Sequence, residues 1–534
     1  MNRTRTPLLV LALVLMAGGP ACPHKPKDDG TVNIRRRPPL GGAAIRIRIP
    51  ADLPQLPCML RNHTWCDRLL MHTVYEPLVR YNVQTGKFQG VLATGWKYLD
   101  KGLTFQLELR PKVNWHNGKT VTSKDIKHTL NQLRHNALYQ GHPASRLLRE
   151  HVERFSYPTD HLFEIRFKKP FGPILEVLAA VPILPAPETL GKPETHRERI
   201  VGTGPYRFLQ WWPGEKIVFT RFQDYWGPSG RAYRLEYHVI RSMAVAREKL
   251  LASKLDLIFD VSANQYKRAI HANGKRLRPF SIEPAEFAYL ALNTARGPFM
   301  DARVRRAVGL LLDRSKLLGA MPGGRPRPLE QPVWINGPQT ASSKGTGMTR
   351  TPTEATRLLK AAGYGKDGKH WKKGGRRLEF TVVTATRFTA FNRGLTAVKR
   401  DFDDAGIKLN IAKVLWGELV VSLKQKRFDA IALSTPLYGP WSDLADLFHS
   451  QSASGGGNHS GWTSPKMDKL LVKMLREVDR TKRLALERVV FQLAAEEAPI
   501  IPLYAPRNLG LATKTLTNTV PTPLWVDLSR LVLK

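Results

Sequence analysis

A mixed α/β fold spread over more than one domain is what the sequence predicts, and three observations carry it. Thr104 to Arg110 (TFQLELR) alternates with period two, the pattern of a half-buried strand. The turn dipeptide Asn117-Gly118 follows, and Thr122 paired with Asp125 opens a helix with Ile126, Leu130 and Leu133 on one face. Lastly, 534 residues are too many for one compact core, while 42% apolar composition marks folded chain.

The N-terminus states the compartment. Arg3 and Arg5 precede the apolar run Leu8 to Met16 and then the small residues Ala17-Gly18-Gly19-Pro20-Ala21, so residues 1–21 read as a secretory signal peptide. That run is too short to cross a bilayer, and no later segment reaches about 20 apolar residues. Cys22 suits a lipoprotein anchored through its thiol. Gly19 and Pro20 depart from the usual lipidation motif, and ordinary cleavage after Ala21 would cut the same bond. Residues 22–43, rich in Pro, Lys and Arg, form a tether. Of the remaining cysteines, Cys58 and Cys66 suit a small disulfide loop in an oxidising compartment, with two buried free thiols as the alternative.

Ala44 to Pro50 (AIRIRIP) is the first strand of the folded body, and Val74 to Val79 is another amphipathic strand or a helix end. Val201 to Phe208 (VGTGPYRF) is a glycine turn into a strand with Tyr206 and Phe208 on one face. It lacks the Lys-Ser/Thr of a phosphate loop. Asp301 caps a helix whose apolar face is Val304, Ala307, Val308, Leu311 and Leu312. Thr351-Pro352-Thr353-Glu354 opens another, which Gly363 ends. Met467, Leu470, Leu471, Met474, Leu475 and Val478 keep helical spacing, and a second helix spans Thr481 to Glu497.

Composition and motifs narrow the function classes. The net charge is +39, but the basic residues are dispersed, and the densest groups are Arg35-Arg36-Arg37 and Lys372-Lys373 with Arg376-Arg377. No zinc-finger, RNA-platform or basic-zipper pattern accompanies them, so a nucleic-acid partner is not expected. There is no G-x-S-x-G elbow, no H-E-x-x-H and no paired C-x-x-C. His449 and His459 near Asp443 and Asp446 read as a polar loop. Neither catalysis, cofactor nor metal is expected.

Several segments in series resemble the extracytoplasmic solute-binding proteins of the oligopeptide, dipeptide and nickel type, family 5. They are Val74-Tyr75-Glu76-Pro77-Leu78-Val79, then Trp96 through Leu103-Thr104-Phe105, Leu109-Arg110-Pro111 and Trp115 to Asp125-Ile126. Gly202-Thr203-Gly204-Pro205-Tyr206, Asp224-Tyr225-Trp226-Gly227 and the run from Asn293-Thr294 to Asp313-Arg314 follow. The series ends with Ala355 to Tyr364, Asp404 to Leu409, Asn458 to Asp468 and Ala498 to Tyr504.

The resemblance implies a two-lobed periplasmic-binding-protein fold (type II, large variant with an extra subdomain) that closes about a hinge. The core of lobe 1 would take 44–66, 200–285 and 505–534, the extra subdomain 67–199, and the inserted lobe 2 residues 286–504. The function implied is the substrate-binding component of an ABC importer. It would close on a peptide-like or other small polar solute and deliver it to a membrane permease, as an exported, envelope-anchored monomer. An envelope sensor or scaffold of the same fold is the alternative. Expected ligand contacts are Trp416, Tyr438, Trp441, Asp443 and Tyr504, by position in the resemblance. The relatives' usual amine-binding aspartate falls near Pro440. Either Asp443 substitutes after a loop shift, or free peptide N-termini are not the ligand.

Overall fold

The computed structural model describes residues 43–534, apart from 55–57, 62, 193–199, 229, 274–275, 284–285, 322–325, 331–346, 437–442, 520–525 and 534. Cys22 and all but the last residue of the tether, together with Tyr438 and Trp441, lie outside the described residues.

The alternation in Ala44–Ile49 puts Ile45, Ile47 and Ile49 wholly inside. This strand sits within a seven-stranded sheet, parallel to Arg234–Val239 on one side and Leu257–Ile258 on the other. The Arg46 guanidinium clamps Asp256, at 2.9 Å, across that junction. Asn508–Thr513 then pairs with Leu257–Ile258 and Leu277–Ile282, and Tyr206–Trp212 with Lys216–Arg221 completes the other edge. Cys58 and Cys66 are bonded, pinning the segment before helix Thr64–Leu70.

The predicted strand forms as Thr104–Leu109, in a four-stranded antiparallel sheet with Ala93–Leu99, Leu162–Phe167 and Val152–Thr159. The helix after it, Ser123–His135, carries the expected capping box, with the Thr122 N–H donating to Asp125 at 2.9 Å. Asp125 does more than cap. It is fully buried, and its other oxygen accepts from Ala186 N–H at 2.8 Å and Thr189 Oγ1 at 2.6 Å. Two expectations shift. The Val74 to Val79 segment is buried and irregular, with isolated bridges at Tyr75 and Pro77, its strand beginning only at Val79. Helix Pro352–Ala361 begins where expected, but Thr351 donates to Thr349 O at 3.0 Å and caps nothing, and Glu354 pairs with Arg357.

Three sequence segments meet at one buried acid. Glu76 accepts from Tyr225 Oη at 2.7 Å, Trp226 Nε1 at 3.0 Å and Thr203 Oγ1 at 3.0 Å. Burial nevertheless outweighs these bonds and pushes its carboxyl up to about 7. The folded value then exceeds the unfolded 4.5, so the native state holds the proton more tightly. This contribution is full below pH 4.5 and lost as pH rises through 7. Glu76→Gln is therefore expected to flatten part of the fall in urea midpoint over that range. A profile parallel to wild type would exclude Glu76 as its source. His116 and His142, which burial pushes down to about 4, act oppositely and weaken the fold as pH falls from 6.5.

The second large sheet has six strands, in the order Arg327–Pro328, Ile500–Ala505, Glu286–Leu292, Ala430–Pro436, Glu379–Ala385 and Lys408–Val414. The last three run parallel to one another, while Glu286–Leu292 runs against its neighbours. The chain passes between the two large sheets twice, after Ile282 and again between Ala505 and Asn508. Glu283 and Arg507 join these passages by an ion pair of 3.1 Å. Helices Pro465–Arg476 and Arg480–Glu497 make a further junction with the four-stranded-sheet region. There, Gly172 N–H donates to Leu475 O at 2.8 Å and Arg483 meets Glu176 at 2.7 Å.

Candidate functional site

Strand direction decides where the second sheet opens. Its parallel strands end at Ala385 and Pro436, Ile500–Ala505 ends beside them, and the oppositely directed Glu286–Leu292 begins there. Carboxyl ends of parallel strands are where open α/β sheets leave room for ligands. At this end lies a cavity of about 300 Å³, lined by Glu286, Ala288, Met321, Arg387, Phe388, Phe391, Leu433, Ser434, Tyr504 and Pro506 among others.

Each polar group in it is set by a named element. Helix Thr389–Asp404 covers the sheet and starts at the cavity wall. Phe388 stands at its N-cap and offers no side-chain acceptor, so the first-turn N–H groups and the helix dipole favour negative charge there. Arg387, one residue earlier, lies 3.7 Å from the centre of the Trp416 ring. Trp416 opens helix Trp416–Lys424, is 45% exposed, and meets Phe388 edge-on at 6.1 Å. Glu286 accepts from the Ser434 hydroxyl. Burial, and then the Glu286 charge, raise the Tyr504 pKa, so this hydroxyl stays a donor. From the first sheet's side, Arg68 lies within the field of Glu286 and 3.9 Å from Asp260.

The structure thus brings Tyr504 into the cavity and Trp416 to its rim. Asp443 is placed elsewhere: it accepts from Asp446 N–H as the N-cap of helix Leu444–Phe448, and its other oxygen is held by Arg146. Arg146 also reaches Glu150 at 2.6 Å and Asp446 at 3.8 Å. Arg387, Phe388 and Glu286 were not singled out from sequence. None sits in a motif, and only the sheet's strand order brings them together. His449 accepts from Gln451 N–H within its own loop, and no group of three potential metal ligands occurs among the described residues.

Two large sheets joined by two strand passages, with a cavity at the end of one, define a two-lobed ligand-binding protein. Residues 87–458 match the model of the bacterial extracellular solute-binding proteins, family 5 (middle region), and the chain belongs to that family. It is similar to the oligopeptide-binding protein AppA of Bacillus subtilis, with 26% identity over 439 residues, 78% of each chain. Among solved structures it resembles NikA of Brucella suis in complex with Fe(III)-EDTA. That match has a TM-score of 0.76 and 22% identity, over 92% of this chain and all of the other. Bacillus subtilis AppA in complex with a nonapeptide gives a TM-score of 0.71 and 21% identity, over 92% and 99%. The fold is the two-lobed one of these binding proteins, and the protein is a solute-binding protein. No helix among the described residues is long and apolar enough to cross a membrane.

Proposed function

We propose that this protein captures a peptide-like or similarly zwitterionic small solute outside the membrane and hands it to the permease of an ABC importer. The carrying observation is the cavity at the strand ends, which among the described residues presents one acid, one base and neutral hydroxyls (Glu286, Arg387, and Tyr504 with Ser434 and Thr389) on apolar walls. One charge of each sign suits a ligand that carries both, and the +39 of the whole chain is not concentrated there. Similarity to an oligopeptide-binding protein, and to its structure in complex with a nonapeptide, supports the peptide class.

In this reading Arg387 and the N-terminus of helix Thr389–Asp404 hold the anionic end, Trp416 and Phe388 wall the ligand, and Tyr504 donates to it. Asp443, already engaged by Arg146, serves to join two parts of the chain. The lobes take the boundaries the family resemblance implies, 286–504 for the inserted lobe, except that Ala505 stays with the inserted lobe's sheet, and the passages joined by Glu283 and Arg507 serve as the hinge. Binding without catalysis, a monomeric state and a lipid anchor on Cys22 complete the proposal.

A thermal-shift screen of the mature protein against peptides, amino acids, sugars and nickel tests it, because a ligand selective for the native state raises the midpoint. Short peptides are expected to raise it. Arg387→Ala is expected to weaken the best ligand by about 1.5–3 kcal/mol in calorimetry, the range for a lost charged hydrogen bond. A shift with sugars alone, or full affinity in Arg387→Ala, would refute the proposed contacts.

A further inference from the structure

Residues 365–377 (GKDGKHWKKGGRR) fold as a small three-stranded antiparallel sheet, Gly365–Asp367, His370–Lys373 and Arg376–Arg377. The strand that follows starts at Glu379, and Lys408 N–H donates to Leu378 O at 3.1 Å. The small sheet therefore sits at the starting ends of the parallel strands, opposite the cavity.

Its mount is rigid. Trp371 is 2% exposed, its indole N–H donates to Ala405 O at 2.9 Å, and its backbone N–H donates to Gly406 O at 3.1 Å. Gly406 has φ +89°, and a Cβ there would lie 2.1 Å from Lys369 O. Outside this anchor the sheet is nearly all charge, with six Lys and Arg residues against the single acid Asp367. Three acids at this end are already paired, Asp367 with Lys372 at 2.5 Å, Glu379 with Lys408 at 2.9 Å and Asp301 with Arg303 at 2.6 Å, while Asp403 and Asp404 end the helix beside the anchor, Asp404 at 3.8 Å from Arg400. Lys366, Lys369 and Arg376 remain exposed surplus cations, while the exposed Lys373 donates its ammonium to Ala362 O at 2.8 Å. Desolvation, and then the charges of Arg377, Lys369 and Lys372, push the half-buried His370 below its ordinary pKa.

We propose that this basic tip is a docking surface for the anionic phospholipid headgroups of a bilayer. Charge complementarity carries the assignment, because phosphates attract clustered Lys and Arg at close range. The tip's tryptophan is buried, so it offers no platform for stacking nucleic-acid bases. It also presents no large exposed apolar residue to anchor a protein partner. The family is extracellular, which places a membrane face within reach. The tip lies away from the cavity, so docking would not block ligand entry.

The test is co-sedimentation of the mature, unlipidated chain with vesicles of phosphatidylcholine alone or with roughly one-third phosphatidylglycerol, at about 0.15 M salt. Wild type is expected to bind only the anionic vesicles. The triple variant Lys366→Glu/Lys369→Glu/Arg376→Glu should lose at least about tenfold, whereas Lys249→Glu/Lys254→Glu/Lys267→Glu, which changes the net charge equally at exposed positions, should stay within about twofold. Should the thermal midpoint of the tip variant fall, the corresponding Gln triple takes its place. Equal losses in both triples would make attraction a property of overall charge and overturn the proposal. Binding to polyglutamate but not to vesicles would overturn it in favour of an acidic protein partner.

Discussion

Arg483→Met is expected to destabilise the protein by about 3–5 kcal/mol, read as a drop in urea midpoint at unchanged slope. Arg483 and Glu176 are 5% and 4% exposed, and they meet at 2.7 Å between helix Arg480–Glu497 and helix Ile174–Ala179. Burial works against the guanidinium charge, but the Glu176 attraction and hydrogen bond outweigh it, so the Arg483 pKa is raised. Removing the cation strands a buried carboxylate whose next base, Arg480, is 3.8 Å away. The double variant Glu176→Leu/Arg483→Met removes the stranded charge and is expected to recover most of the loss. A single-variant cost below about 1 kcal/mol would mean that water reaches Glu176 once Arg483 is gone.

Gly202→Ala is expected to be similarly severe, about 3 kcal/mol or more, because overpacking here meets backbone that has no room to yield. A Cβ at Gly202 would lie 1.8 Å from Val74 O and 2.6 Å from its carbonyl carbon. The glycine loop is held against that segment by Gly204 N–H to Val74 O at 3.0 Å and Tyr206 N–H to Thr73 O at 2.9 Å. The contrast is Gly417→Ala, in helix Trp416–Lys424, where nothing lies within 4 Å of the added carbon. It is expected to be neutral or to stabilise by about 0.5–1 kcal/mol through helix propensity. Equal melting temperatures for the two variants would contradict this account of Gly202.

What could be read from the chain was local. Period-two alternation located Thr104–Leu109, and a cap followed by helical spacing located the helices beginning at Ser123 and Ala302. Local signals are also where the misreadings arose. Thr351 has the residues of a cap, yet its hydroxyl turns to Thr349 O, because a side chain can choose among several nearby backbone acceptors. The cavity was less legible. Tyr504 was reachable through the family resemblance, but Glu286 and Arg387 lie about a hundred residues apart and share only one end of the sheet's strands. Asp443 shows the same limit from the other side. Its partner Arg146 lies 297 positions away, and nothing in the sequence links them.

The place of Ala44–Ile49 in its sheet sets an order on folding. It is the first strand of the folded body, yet its partners arrive only with residues 234–239 and 257, and the neighbouring Asn508–Thr513 comes near the end. Loop closure over such separations is slow, so this lobe has high contact order and cannot complete its core until nearly the whole chain is available. For a protein that works outside the membrane, that delay leaves this lobe unfinished until its late strand arrives. It also leaves a chain cut short before residue 508 with an unpaired strand edge, a liability for aggregation.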